Sequence, residues 1–278
     1  MLMKTQIRTL LATALVAGSA VFVHAQAILI SENFGGSSGD NLNGTTADTF
    51  SSAIVTAGGN ATWRAPSDSA IRADGSITGS TNGAAYLNLG SYINDAMGTD
   101  TGLFTLTTSV AKPTTGGQWV SVGFYRDSAD DNSLSGGNFT VAGMPGYATA
   151  IHRRGTDSST NFFAGAQTNN GFDPGNLSTA VTFKIELDFT EAGGYNGVSN
   201  FGTVKFYSPS DLNTVSFSYT YLTAISLEGI GLGYGGTVVG SVDSFTLTQA
   251  AIPEPSTYAA LIGAGVLGLA ACRRRRVS

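Results

Sequence analysis

Between its two ends the chain alternates. In TFKIELDF (182–189) every second residue, Phe183, Ile185, Leu187 and Phe189, is apolar. A side-chain period of two puts these four on one face of an extended strand and leaves Lys184, Glu186 and Asp188 on the other. The same pattern sets Phe104, Leu106 and Val110 on one face of LFTLTTSV (103–110), and Val120, Val122 and Phe124 on one face of QWVSVGFY (118–125). Val204 with Phe206, the series Val215, Phe217, Tyr219 and Tyr221, and Phe245 with Leu247 of SVDSFTLT (241–248) repeat it. No segment away from the ends keeps a long period of 3.6. Turn formers separate the runs: GGSSGDN (35–41), GGN (58–60), TTGG (114–117), DPGN (173–176), GGYNG (193–197) and SPSD (208–211). Many short strands, each with one face to bury, predict an all-β domain built as an antiparallel two-sheet sandwich of jelly-roll type. No fixed-period repeat is present, which counts against a propeller or a β-helix.

The two ends are of a different kind. Lys4 and Arg8 precede an apolar run from Leu10 to Val23, followed by His24-Ala25-Gln26-Ala27. Small residues at Ala25 and Ala27 fit signal-peptidase cleavage after Ala27, with cleavage after Ala25 as the second reading. At the other end, Pro253-Glu254-Pro255 leads into an apolar run from Tyr258 to Cys272 that contains three glycines. Arg273, Arg274, Arg275 and Arg276 follow directly. Fifteen residues is short for a spanning helix, which takes about 20. Arginines after such a run stay cytoplasmic, so the body lies across the membrane from them. The predicted organisation is a signal peptide over 1–27, a body over 28–248, and a linker with the C-terminal signal over 249–278.

Of the 14 Lys and Arg residues, six lie in these end segments. The stretch from Glu32 to Glu254 holds eight against all 19 Asp and Glu, a balance of −11. So acidic a surface argues against nucleic acid as a partner. The only cysteine, Cys272, is in the tail, so the body forms no internal disulfide.

The order Pro253-Glu254-Pro255, short glycine-rich apolar run, Arg273 to Arg276 resembles the PEP-CTERM sorting signal of bacterial exported proteins. The resemblance covers the last 26 residues or so and implies signal peptidase and a membrane-embedded exosortase as processing partners. It further implies an inner-membrane-anchored precursor, with transient or retained insertion of the C-terminal helix. Release or attachment then follows at the cell surface or in the extracellular matrix, among exopolysaccharide. The body resembles LamG-like or concanavalin-like sandwiches in its opening ILISENF (28–34), in AAYLNLG (84–90), LFTLTTSV, QWVSVGF and FKIELDF, and in its closing GSVDSFTLT. That implies two antiparallel sheets, adjacent first and last strands, and a carbohydrate- or ligand-binding face.

Several residue groups are candidates for chemistry. Alternation along ILISENF and SVDSFTLT turns Glu32 and Asp243 toward the core, where antiparallel first and last strands would make them neighbours. Either they share a hard cation such as structural Ca²⁺, or they bond to backbone amides and polar side chains. The second reading is preferred. Glu186, Asp188 and Glu191 have the form E-x-D-x-x-E, which resembles the catalytic strand of laminarinase-type glycoside hydrolases. That likeness implies a nucleophile, a tuning acid and an acid/base, with Glu191 needing a bulge to join the other two. The preferred reading is the polar outer face of a strand. DSADDNS (127–133) is oxygen-rich but lacks the ligand spacing of an EF-hand. His152 is the one histidine of the body, too few for a zinc cage or a Ser-His-Asp triad. Trp63, Trp119, Tyr125, Tyr147, Tyr195 and Tyr234 are available to stack on sugars or to cover core edges. The expected function is non-catalytic binding or organisation of extracellular polysaccharide. A purely structural surface protein and, less favoured, a glycoside hydrolase are the alternatives.

Overall fold

The structure is a computed structural model that describes residues 26–65, 71–79, 83–111, 113, 118–125, 147–154, 160–164, 167–170, 180–236 and 238–250. Within Gln26–Ala250, one compact unit, these residues form two antiparallel sheets and two short helices. The eight-stranded sheet holds β1 (Gln26–Glu32), β2 (Thr49–Phe50), β4 (Ser76–Gly79), β6 (Leu103–Ala111), β11 (Val181–Asp188), β12 (Thr203–Ser208), β13 (Asp211–Thr220) and β15 (Val238–Ala250). Its order is β13-β12-β11-β6-β15-β1-β2, with β4 paired to the start of β15. The seven-stranded sheet runs β10-β9-β8-β7-β14-β5-β3. These are β3 (Gly58–Arg64), β5 (Gly83–Gly90), β7 (Trp119–Tyr125), β8 (Tyr147–Arg154), β9 (Thr160–Ala164), β10 (Gln167–Asn170) and β14 (Gly229–Gly235). Helices α1 (Ser52–Thr56) and α2 (Tyr92–Ala96) are single turns at strand ends.

The alternation decides which side chains meet. Phe104 and Leu106 of β6, Phe183, Ile185 and Leu187 of β11, and Val204 and Phe206 of β12 are all buried. They face Val120, Val122 and Phe124 of β7, Ile151 of β8 and Phe162 of β9 across the interior. Phe162 stacks on Phe206 with ring centroids 4.8 Å apart, one contact of the dry layer between the sheets. At about 25 cal/mol per Å² of apolar surface, burying each such side chain contributes roughly 2–3 kcal/mol before entropy. The predicted neighbours β1 and β15 do pair, from Gln26↔Ala250 to Glu32↔Phe245. The paired strands run two residues beyond each end of the expected 28–248 body.

Two irregularities change which faces are buried. In β1 the register shifts between Ile28 and Ile30, so Ile28 is 57% exposed while Leu29 and Ile30 are both buried. In β15 it shifts between Val242 and Ser244, so Val242, not Asp243, turns inward with Phe245. β13 was expected to bury one full stripe. As a sheet edge it leaves Val215 43% exposed, with Phe217 and Tyr219 only half-buried.

Candidate functional site

Glu186, on the outward face of β11, meets Lys205 and Tyr207 of β12. Lys205 Nζ lies 2.8 Å from its Oε1, and the Tyr207 hydroxyl donates to its Oε2 at 3.0 Å. Lys184 sits 3.7 Å above the Tyr207 ring and donates to the Leu212 carbonyl at 2.9 Å. Burial, and then the Glu186 charge, push the Tyr207 hydroxyl up to about 12. Asp188 serves a turn instead: its Oδ1 accepts from the Thr190 amide at 3.1 Å and the Thr190 hydroxyl at 2.6 Å. Glu191 lies past the strand end, exposed, with its carbonyl accepting from Gly194. The bulge that would bring Glu191 beside Glu186 is absent from β11, whose pairing with β6 is regular from Val181 to Asp188. Glu186 thus sits in a cross-strand ion pair, Asp188 in a turn and Glu191 in solvent. A cross-strand pair of this kind ties Glu186 to sheet stability.

Glu32 turns inward as the alternation predicts and is only 5% exposed. Its Oε1 accepts from the Phe34 amide at 2.8 Å and its Oε2 from the Trp63 indole at 2.9 Å. Burial raises its pKa above the ordinary carboxylate value, against the lowering effect of these two hydrogen bonds. Asp243 is exposed and accepts from the Ser241 hydroxyl at 2.8 Å. The expected meeting of Glu32 and Asp243 does not occur, because the β15 bulge turns Asp243 to the other face. A cation does not fit at Glu32 either. Both oxygens are taken by N–H donors and the walls are the aromatic rings of Phe34, Trp63 and Phe245, where Ca²⁺ needs six to eight oxygens. Among the described residues no group of three or more His, Cys, Asp and Glu could hold a metal.

The aromatic candidates divide. Trp63 and Tyr234 are core residues. Trp119 is half-buried and lies over Gly235, where a Cβ would meet its indole ring at 2.1 Å. The side chains of Tyr125, Tyr147 and His152 lie outside the described residues, as does the whole of DSADDNS. Tyr195 remains, half-buried in the 189–202 connection that joins β11 to β12. Asn196 organises that connection. Its Oδ1 accepts from the amides of Val198, Ser199 and Asn200 at 2.9–3.0 Å. Tyr195 packs edge-on against Phe201 at 6.4 Å. A preorganised polar loop carrying one half-exposed ring can present a flat face and amide groups to a polar ligand.

Sequence reasoning passed over β14. Its GIGLGYG alternates glycine with Ile230, Leu232 and Tyr234, and all seven residues are buried. The alternation is readable in the sequence, with glycine forming the second face of a covered strand.

Residues 251–276 match the model of the PEP-CTERM protein-sorting motif, and this covers Pro253, Glu254, Pro255 and Arg273 to Arg276. The chain thus ends in a sorting motif that marks an exported protein directed to the envelope or surface. The motif lies outside the described residues. Among those residues no helix is long and apolar enough to cross a membrane. No curated protein matches the chain in sequence. Among solved structures it is similar to the carbohydrate recognition domain of Emp47p, at 12% identity, covering 68% of this chain and 89% of that one, TM-score 0.43. The exoplasmic/lumenal domain of VIP36 in its Ca²⁺/Man-bound form matches at 9% identity, covering 69% and 85%, TM-score 0.41. A protein of unknown function from Shewanella oneidensis MR-1 matches at 13% identity, covering 64% and 71%, TM-score 0.33.

Proposed function

We propose that this is an exported protein, processed by signal peptidase and an exosortase, that binds or organises polysaccharide at the cell surface or in the extracellular matrix without turning it over. The observation that carries the reading is the sorting motif at 251–276, which follows the last described strand, Val238–Ala250, in the chain. The precursor is held in the inner membrane by its C-terminal apolar run until exosortase acts near Pro253. Signal peptidase removes the N-terminal leader after Ala27, or after Ala25 as the second reading. The acidic body favours neutral or cation-bridged glycans over polyanions. Tyr195 and the Asn196 turn are the contact, with the ring stacking on sugar C–H faces. The bonding of Glu186 and Asp188 supports a non-catalytic role.

A panel of soluble and insoluble polysaccharides tests this, with the mature protein assayed for both retention and release of reducing ends. Retention without release is the expected result. Reducing ends that disappear in Glu186→Gln would replace this reading with a hydrolase, and no retention on any glycan would replace it with a purely structural surface protein.

A further inference from the structure

Among the described residues β13, β2, β10 and β3 end the two sheet orders and β4 lies off them beside β15, and all but β13 offer little to a further strand. β2 has two residues, β10 has four, and the four-residue β4 is bridged at Ile77 by Ile71. The outer side of β3 is covered by the 44–47 segment, where Gly44 bonds to the Trp63 carbonyl, Trp63 to the Thr45 carbonyl and Ala47 to the Ala61 carbonyl, at 2.8–3.0 Å. β13 differs. It has ten residues, pairs among the described strands with β12 alone, through a ladder that shifts register twice, and is mostly exposed. The described backbone bonds beyond the strand ladders include none from Asp211 to Thr220. Its sequence DLNTVSFSYT holds no Pro, Gly or Lys, and its one charge, Asp211, stands at the first position. Proteins ordinarily blunt such an edge with charge, proline, shortness, bulges or cover. Among the described residues charge, proline and cover are missing along 215–220. The blunted part is the start of the strand, where the ladder bulges, Lys184 Nζ donates to the Leu212 carbonyl and the Asn213 amide donates to Asp211 Oδ1.

We propose that the free edge of β13 is an interface that pairs antiparallel with β13 of a second copy, joining two eight-stranded sheets across a two-fold axis. An antiparallel pair of identical strands is self-complementary, so the contact closes as a dimer and does not propagate. The charge pattern suits a copy. The two Asp211 carboxylates fall at opposite ends of the pair, about 37 Å apart at about 3.4 Å per residue, and no like charges face each other. Uncharged Val215, Ser216, Phe217 and Ser218 meet at the centre, where β-branched and aromatic cross-strand pairs are favourable. The acidic bodies repel at longer range, so added salt strengthens the pairing.

Site-specific cross-linking of the detergent-purified full chain tests the interface. With Cys272→Ser as background, single cysteines go in at Asn213, Val215, Ser216 and Ser218, and at Thr49 of the short edge β2 as control. Mild oxidation is expected to give disulfide-linked dimer at one or two neighbouring β13 positions, several-fold above the control. Val215→Lys is expected to weaken self-association at least tenfold in sedimentation, with circular dichroism and melting unchanged. Cross-linking no better than at Thr49, or a dimer indifferent to Val215→Lys, would overturn the proposal. So would a monomer at every concentration that nonetheless captures strand-forming peptides, since the edge would then serve a different partner.

Discussion

The indole N–H of Trp63 and the carboxylate of Glu32 meet at 2.9 Å across the sandwich, Trp63 from the seven-stranded sheet and Glu32 from the eight-stranded one. Phe34 completes the group from a left-handed backbone at φ +51°, its amide bonded to the same carboxylate and its ring packed on Trp63 and Phe245. A left-handed non-glycine residue costs about 1–3 kcal/mol, so this network offsets local strain. Glu32→Gln keeps the volume but turns an NH₂ toward one of two N–H donors. The expected loss is about 1–3 kcal/mol of stability by urea unfolding.

The pH dependence of that loss has a definite sign. Burial raises the folded-state pKa of Glu32 above 4.5, so the folded state binds its proton more readily than the unfolded chain. The resulting stability is fully present below the unfolded value and is lost as pH rises through the raised folded value. The gap between wild type and Glu32→Gln should widen as pH is lowered from 7 to below 4.5. A gap constant across that range would show that Glu32 keeps an ordinary pKa.

Gly75 stands behind the same cluster at φ +74°. A Cβ there would lie 2.1 Å from the Val242 carbonyl oxygen and 3.0 Å from the Phe34 ring. Gly75→Ala is therefore expected to cost about 1–3 kcal/mol through backbone strain, and more if the bulge in β15 has to shift. Thermal unfolding checks this, with Gly39→Ala, which meets nothing within 4 Å, as the neutral control.

Glu186→Gln removes a cross-strand ion pair that is partly open to water. Double-mutant cycles with Lys205→Met should give a coupling of no more than about 1 kcal/mol, decreasing with salt. Polysaccharide retention should be unchanged in both variants.

Tyr195→Ala should lower polysaccharide retention by the still-folded protein by tenfold or more, and should also lower the melting temperature, because the ring packs on the core and on Phe201.

The sequence made the fold legible wherever side chains alternate without interruption. The stripe Phe183, Ile185, Leu187 defined β11, and the pairing of first and last strands followed from the LamG-like order. It misled where a ladder slips. Nothing in SVDSFTLT announces that Val242 and Phe245 share a face, because a bulge depends on the partner strand as much as on its own residues. The inward turn of Glu32 was legible, but its partner was not. Trp63 lies 31 positions away on the other sheet, and only the packing of the two sheets joins them. The outward acids of β11 were placed correctly. Their roles came from Lys205, Tyr207 and Thr190, which strand parity alone does not single out.

The strand that leads to the sorting motif is β15, and it is laced along both sides, to β6 from Ser241 to Gln249 and to β1 from Phe245 to Ala250. A chain held by its C-terminal end transmits drag into the sheet along the axis of that strand. Both ladders are then loaded in shear, with many hydrogen bonds sharing the force, rather than peeled open one bond at a time.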